Sequence, residues 1–458
     1  MDEVEIAEMV RDGVVHAPSS FSLHYYSKSE ILNSQSWALF YVGGWIQNLF
    51  HSAFGSCGPR LASLLGLMFA TAFAFLYSWK KTESLKFASA FGALVFSFPI
   101  FVQSARGARV DIWTIGLLFL ALYLLESYAK RSGKSRIIVP FAVGSIACFS
   151  VFTWITSILL EPVYLWALLA YSKLDGKWRK SIFVAMIGGL LTAGILLMPF
   201  VGTKDALSNF IYVLTSVSGA SNKHASAVNE IIGFAKSLIG YPFVFFFGIV
   251  FLCLSKRTLF LKLGALMFFL IVVIICAHVY VYRLVYFAPY CILGLCVYFA
   301  ECSRGRKLVF VLCSVLALFC YARGVVVRNG IEYLTKTGRD QSVVKVALEN
   351  IIGQSESVYC DTHQLYYVGC ELNWRQFKFV EGFDAEEIAR RNITWYIGEE
   401  KTVTEKHVVD LQAAGYVLHG VVGFDVPKIH PIFDKIVSRA GRTRCYGPYV
   451  LYRRAVVQ

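Results

Sequence analysis

Two adjacent carboxylates, Asp2 and Glu3, open the chain, and further acids follow at Glu5, Glu8 and Asp12. A carboxylate beside a hydroxyl group can act as a general base, and a carboxylate pair also suits a divalent metal ion. The same pattern is typical of an ordinary helix start, because acidic side chains are stabilised near the positive end of the helix dipole. Both interpretations stay open on these residues alone.

A second charged set, Arg106, Arg109 and Asp111, lies in the segment SARGARVDIW, which leads into an apolar run. Long basic side chains at the mouth of a membrane span can simply reach the lipid headgroups. An aspartate at this place is harder to explain in that way, because charge within the membrane is costly and usually functional. Asp111 is therefore a candidate site residue, and the two arginines are candidates for binding a phosphate.

Three more basic residues lie outside the apolar runs or at their ends, namely Lys204, Lys223 and Arg283. Each is either an interfacial anchor, the commoner role, or part of a phosphate-binding site. Arg283 is the strongest candidate, because aromatic residues crowd both sides of it and Pro289 interrupts the following helix. Glu161 lies where two apolar runs turn, and it either caps that turn or approaches a substrate.

The elements that must position these groups follow from the charge between the apolar runs. Every second connection is short and basic. These connections carry Lys80, Lys81 and Lys86; Lys130, Arg131, Lys134 and Arg136; Lys173, Lys177, Arg179 and Lys180; Lys256, Arg257 and Lys262; and Arg304, Arg306 and Lys307. Short loops rich in Lys and Arg stay on the cytoplasmic side. The other connections, 104–111, 155–162, 202–236 and 279–283, are therefore predicted to lie outside.

The composition agrees with a polytopic helical membrane protein. The chain is 57% hydrophobic and only 16% charged, against about 25% charged in soluble proteins. A span needs roughly 20 residues. The sequence predicts about ten spans, at 61–79, 87–103, 112–128, 138–154, 158–172, 182–201, 237–254, 262–280, 284–301 and 308–325. Most of the net charge of +14 lies in the inside loops, which indicates contact with anionic lipids rather than with nucleic acid.

Three zones follow from this pattern. Residues 1–60 are predicted to form an external first loop with the acids and an aromatic interfacial helix, and residues 61–325 form the membrane domain. Residues 330–458 lack a long apolar run. Strand-like pieces (SVYCD, ITWYIG, YVLHGVVGF, YVLYRR) alternate there with helix-like pieces (SVVKVALENII, DAEEIARRN, EKHVVDLQAAG). The tail is therefore predicted to be a soluble α/β domain on the outer face.

Ten spans with an external tail also place residue 1 outside, although MDEVEIAEMVRDG has no basic signal-peptide start. One explanation is a further span upstream of Met1. The other is that the run WALFYVGGWIQNLF, at 37–50, crosses the membrane as an eleventh helix. That run is short and rich in aromatic residues, which favours a helix in the membrane interface. We therefore expect a missing first span.

Short motifs in the first 77 residues resemble membrane glycosyltransferases of superfamily C, in particular the protein O-mannosyltransferase and lipid A aminoarabinose transferase group. That family has an Asp-Glu pair after its first span, a helix of the form xxAxxMxxxG, an aromatic helix ending in Phe-Gly, and an Arg-Leu that opens the next span. The matching residues here are Asp2-Glu3, Ala7, Met9, Gly13, Phe54-Gly55 and Arg60-Leu61. The resemblance extends over about residues 2–300. The Pro-Pro segment usual before the aromatic helix is replaced by SKSEILNSQSWALF.

The resemblance implies an inverting transferase that moves a sugar from a polyprenyl-phosphate donor to an acceptor at the outer membrane face. It implies Asp2 as the base that deprotonates the acceptor hydroxyl, with Glu3 and Asp111 as further acids of the site. The departing lipid phosphate would be stabilised by basic residues, here Arg283, Arg106, Arg109, Lys204 and Lys223. Some superfamily members need a divalent metal, so metal dependence stays open. No Cys or His ligand spacing supports zinc.

Two other functions stay open at this stage. A transporter or lipid flippase would also have ten or eleven spans, although transporters usually show internal repeats, and none is visible. A non-catalytic partner in an envelope complex is the third possibility. The implied partners are the lipid-linked donor, membrane lipids and a lipid, glycan or protein acceptor, in the plasma (inner) membrane.

Overall fold

The computed structural model describes residues 41–128, 135–172, 178–198, 243–271, 284–302, 305–327, 329–330, 333, 340–362, 365–377, 383–424 and 447–455. Its membrane part contains twelve described helices. They are α1 (Tyr41–Phe54), α2 (Gly58–Thr82), α3 (Leu85–Ser97), α4 (Pro99–Arg106), α5 (Asp111–Tyr128), α6 (Ser135–Thr153), α7 (Glu161–Ser172), α8 (Trp178–Leu197), α9 (Val244–Leu254), α10 (Leu259–Leu270), α11 (Leu284–Glu301) and α12 (Arg306–Tyr321).

Every one of the ten predicted spans has a helical counterpart among these elements. Five helical segments of the described chain are long and apolar enough to cross a membrane: Gly58–Thr82, Ile155–Ser172, Trp178–Leu197, Leu284–Glu301 and Arg306–Val327. The bent pair α3 and α4 would be a sixth. The protein is thus a polytopic α-helical membrane protein with a C-terminal α/β domain.

The span predicted at 87–103 is not one straight helix, because α3 and α4 meet at an angle of 49°. Phe98 between them is extended, with φ −61° and ψ 121°, and Pro99 begins α4. Proline disfavours the helical conformation of the preceding residue and has no N–H to continue the helix. The break directs α4 towards the segment that carries Arg109 and Asp111.

The centre of the membrane part is α11, of which 83% is buried, whereas only 17% of α8 is buried. Close contact between α9 and α11 depends on small residues. A Cβ atom at Gly248 would lie 2.5 Å from Cβ of Cys291, and one at Gly294 would lie 2.6 Å from the Gly248 carbonyl oxygen. Small residues allow such close helix packing in membranes. The helix that carries Tyr286 is therefore fixed on several sides.

A polar cluster connects α2, α5 and α7 at the end where the basic Lys80–Lys81 pair lies. The Lys81 ammonium lies 3.1 Å from Oε2 of Glu126, and the Tyr171 hydroxyl donates a hydrogen bond to the same oxygen. Lys81 also lies over the Tyr171 ring, 5.2 Å from its centroid. This cluster fixes the three helices at the end opposite to Asp111.

Replacing Glu126 with Gln should destabilise the protein by about 1.5–3 kcal/mol, because a hydrogen bond to a charged group is lost. The measurement is thermal unfolding in detergent. The control is Glu301→Gln. Among the residues that the structure describes, the exposed Glu301 accepts hydrogen bonds only from the backbone N–H groups of Lys256 and Arg257. An unfolding temperature for Glu126→Gln equal to that of the control would contradict this role.

The C-terminal part is a five-stranded sheet with helices on both faces. Its elements are α13 (Gln341–Ile352), β1 (Ser357–Cys360), α14 (Tyr366–Glu371), β2 (Arg375–Phe377), α15 (Ala385–Arg390), β3 (Trp395–Glu399), α16 (Glu405–Ala413), β4 (Tyr416–Val422) and β5 (Tyr449–Arg454). The strand order is β2-β1-β3-β5-β4. Strands β1, β2 and β3 are parallel, whereas β5 is antiparallel to β3 and β4.

Alternation along the strands explains the two apolar layers of this domain. In β1, Val358 and Cys360 face the layer with α13, whereas Tyr359 faces the layer with α15 and α16, as expected for a period of two. The predicted α/β tail is confirmed, and all seven pieces named from the sequence contain a helix or strand. Strand β2 was not predicted, because RQF is too short to give a pattern.

Candidate active site

Asp111 begins α5 and is completely buried. Arg109 Nε lies 2.6 Å from its Oδ2 atom, and the Tyr286 hydroxyl on α11 donates a hydrogen bond to Oδ1. Both carboxylate oxygens therefore have a donor. The Asp111 carboxylate thus holds Arg109 and Tyr286 together. Removing one member of a buried ion pair leaves the charge of the other uncompensated, which is strongly destabilising.

The turn between α4 and α5 directs Arg109 towards Asp111. The Arg109 N–H donates to the carbonyl of Ser104 at 3.0 Å, and Ala108 has φ +59°, in a region that residues other than glycine rarely adopt. The buried Gln47 side chain donates a hydrogen bond from Nε2 to the Ala108 carbonyl. A side chain of α1 thus fixes the strained residue next to Arg109.

Helix α1 also packs with its backbone against this turn. A Cβ atom at Gly43 would lie 2.5 Å from the carbonyl oxygen of Thr153 and 3.0 Å from Cγ2 of Val110. A larger residue at this position would separate α1 from the turn. The other side of α1 exposes Trp45 and Leu49, which are 51% and 69% accessible, and this suits the interfacial helix predicted from the sequence.

The guanidinium of Arg109 lies over an aromatic ring. Its Cζ atom is 5.9 Å from the centroid of Trp154, a contact in which the ring face attracts the cation. Trp154 is 7% exposed and precedes the 3-10 turn Ile155–Leu160, which leads into α7. Arg109 is thus held by the carboxylate of Asp111 on α5 and by the ring of Trp154, which lies between α6 and α7.

An arginine held in this way is suited to an anionic group. Its guanidinium matches the geometry of phosphate, and its orientation is set before a ligand arrives. A cation fixed where negative charge develops during a reaction can stabilise the transition state. These properties make Arg109 a candidate for binding an anionic group.

The structure brings together two of the residues predicted from the sequence, Arg109 and Asp111. Arg106 is half-buried at the end of α4, three residues before Arg109. The remaining predicted site residues lie outside the described part of the chain and stay predictions: Asp2, Glu3, Lys204, Lys223 and Arg283. Within the described ranges, no group of three or more His, Cys, Asp and Glu side chains is close enough to hold a metal ion.

Sequence reasoning missed three residues of this cluster, namely Gln47, Trp154 and Tyr286. Gln47 had a signal, since it is an amide within an otherwise apolar and aromatic run. Tyr286 lies only three residues after Arg283 in HVYVYRLVYFAP, but nothing in the sequence indicates its partner. Trp154 resembles any aromatic residue at a membrane interface.

The sequence matches no protein-family model, and a search of curated proteins finds no match. Among solved structures, the chain is similar to apo ArnT from Cupriavidus metallidurans, with a TM-score of 0.55 and 12% identity over 98% of this chain and 92% of that one. It also aligns with the Archaeoglobus fulgidus oligosaccharyltransferase in complex with Zn and sulfate. The TM-score there is 0.49, with 12% identity over 90% of this chain and 67% of that chain.

The similarity to ArnT extends over nearly the whole length of both chains and includes the soluble tail. ArnT is a lipid A aminoarabinose transferase of superfamily C. The chain therefore shares the fold of ArnT, and the resemblance indicated by the motifs is confirmed for the fold.

Proposed function

We propose that this protein is an inverting glycosyltransferase that moves a sugar from a polyprenyl-phosphate donor to an acceptor at the outer membrane face. The observation that carries the proposal is the buried Arg109–Asp111–Tyr286 cluster. It fixes the Arg109 guanidinium, a group that suits phosphate, within a fold shared with ArnT. The acceptor is a lipid, a glycan or a protein, and the protein works in the plasma (inner) membrane.

In this proposal Arg109 binds the phosphate of the donor, and Asp111 and Tyr286 position Arg109. The sequence candidates Arg106, Arg283, Lys204 and Lys223 contribute further positive charge. In these roles the basic groups oppose the charge that develops on the phosphate as its bond to the sugar breaks.

Asp2 is the proposed base, with Glu3 beside it. The acceptor oxygen attacks the anomeric carbon while its proton passes to the Asp2 carboxylate. The bond between the anomeric carbon and the phosphate oxygen breaks, and its electron pair stays on the lipid phosphate. A single displacement of this kind inverts the configuration at the anomeric carbon. If a divalent metal is bound, Asp2 and Glu3 would hold it, and it would add positive charge beside the donor phosphate.

The proposed orientation rests on α5. It lies along α2, which is long and apolar enough to cross a membrane, because Trp113 near the start of α5 donates to the Ala62 carbonyl of α2 at 3.0 Å. Glu126 at one end pairs with Lys81, next to Lys80 in a short basic connection. Such connections stay on the cytoplasmic side, so Asp111 at the other end of α5 is proposed to lie outside.

The test uses membranes containing the protein and a panel of radiolabelled polyprenyl-phosphate sugars, with nucleotide sugars as comparison donors. The labelled sugar should be transferred from the lipid-linked donors, and free polyprenyl phosphate should be released. Nucleotide sugars should stay intact. Membranes without the protein are the control. Movement of the intact lipid-linked sugar across the membrane would support a transporter instead. A folded protein that turns over no donor would overturn the proposal.

Replacing Arg109 with Lys should lower kcat/KM for the lipid-linked donor about 10- to 100-fold, through both a higher KM and a lower kcat. Lysine keeps the charge but loses the planar group that bonds Asp111 through Nε, and a charge-assisted hydrogen bond is worth about this much. The matched control is Arg306→Lys at the other end of the bundle, where the exposed Arg306 donates to the carbonyls of Phe299 and Ala300. Equal kinetics for the two variants would contradict the role of Arg109.

A further inference from the structure

Glu161 is a second acid near the cluster; it is half-buried, and the mechanism above does not use it. It begins α7, and its Oε1 atom is buried and accepts no hydrogen bond from the residues that the structure describes. Ser157, four residues earlier, is fully buried, and its hydroxyl also has no hydrogen-bond partner within the described part. Buried polar atoms normally have partners, and Glu161 as a whole is only half-buried, so a ligand can reach its side chain.

The segment with these two residues is continuous with the Arg109 cluster. It begins at Trp154, whose ring lies under the Arg109 guanidinium, and runs through the turn Ile155–Leu160 to Glu161. The place for a ligand at Glu161 is thus directly connected to the proposed phosphate-binding group.

Helix α11 joins the same two places from its other side. Tyr286 donates to Asp111, and Tyr290 donates to the carbonyl of Leu159, two residues before Glu161, at 2.7 Å. The two tyrosines are four residues apart, which is about 6 Å along the helix axis. Helix α11 thus contacts both the Arg109–Asp111 pair and the segment that leads to Glu161, and a sugar linked to phosphate lies next to that phosphate.

We propose that Glu161 forms a subsite for the transferred sugar, in which its carboxylate accepts hydrogen bonds from the sugar's hydroxyl groups. The subsite rests on the proposed function, because Arg109 must bind the phosphate for the sugar to reach Glu161. A site built around a buried acceptor discriminates strongly against a ligand that lacks the matching donor group. Glu161 would therefore select the sugar rather than the lipid.

The test compares Glu161→Gln with wild type in two measurements. The first is the affinity for undecaprenyl phosphate without a sugar, and the second is kcat/KM for undecaprenyl phosphate carrying radiolabelled mannose, glucose, galactose or aminoarabinose. Affinity for the bare lipid phosphate should stay within twofold. For the donor that wild type transfers best, kcat/KM should fall at least about tenfold, the effect of losing a hydrogen bond to a charged group. Glu301→Gln, an exposed acid at the opposite end, is the matched control and should leave both values unchanged.

A second comparison uses singly deoxygenated versions of that donor. Wild type should discriminate against one of them at least about tenfold, and Glu161→Gln should lose that discrimination. Glutamine is nearly isosteric, so folding is preserved, and binding of the bare lipid phosphate verifies it. An unchanged kcat/KM, or an equal loss for the bare lipid phosphate, would overturn the subsite alone. Wild type that neither binds the lipid phosphate nor transfers any sugar would overturn the proposed function, and the subsite with it.

Discussion

Replacing Asp111 with Asn is expected to lower kcat/KM for sugar transfer by about 10²–10³-fold, the usual effect of losing one oriented group that stabilises developing charge. Asparagine has nearly the same shape but no charge, and one of its two polar ends is a donor. That end must face either the Arg109 Nε–H or the Tyr286 hydroxyl. Arg109 then loses its oriented counter-charge and no longer points reliably at the donor phosphate.

The Asp111 variant is measured together with Tyr286→Phe. Phenylalanine removes only one hydrogen bond to the carboxylate, so kcat/KM should fall by about tenfold, and the ion pair with Arg109 remains. Glu126→Gln serves as a control for stability, because it weakens the other end of α5 without touching this cluster. If correctly folded and membrane-inserted Asp111→Asn transfers sugar at the wild-type rate, the cluster does not position Arg109.

Replacing Asp2 with Asn is expected to lower kcat by about 10²–10⁴-fold, the usual contribution of a general base. The KM for the lipid-linked donor should change little, because the base acts on the acceptor hydroxyl and the phosphate is bound by other residues. This pattern differs from that of Arg109→Lys, which also raises KM. Initial rates with a saturating donor would measure the effect.

Glu5→Gln is the matched control for Asp2, since both acids lie in the same short acidic segment. An ordinary acidic helix start would give the two variants equal activity, because each loses one favourable interaction with the helix dipole. A wild-type rate for Asp2→Asn would place the base elsewhere. Glu3→Gln then separates the two adjacent carboxylates.

The membrane architecture was predictable because it depends on local properties. The length of an apolar run and the charge of the connection after it can be counted along the chain. These two properties predicted ten spans, and each has a helical counterpart in the structure. The exception is the bend between α3 and α4. Pro99 was visible in the sequence, but a proline near a span end is compatible with a straight helix that begins there or with a break.

The candidate site was predictable in part, for the same reason. Asp111 stood out because a carboxylate at the start of an apolar run is costly, and Arg109 lies only two residues away from it. The sequence alone therefore determined the class of membrane protein, the α/β tail and the place of this charged pair.

Only the tertiary structure decided how the pair is completed. Tyr286 is 175 residues from Asp111, and Gln47 is 61 residues from Ala108. A hydrogen bond between such distant residues depends on how helices cross and rotate against each other, and small residues such as Gly43 and Gly248 set those distances. No pattern along the chain records which of many similar tyrosines faces a buried carboxylate, because that choice is made by packing.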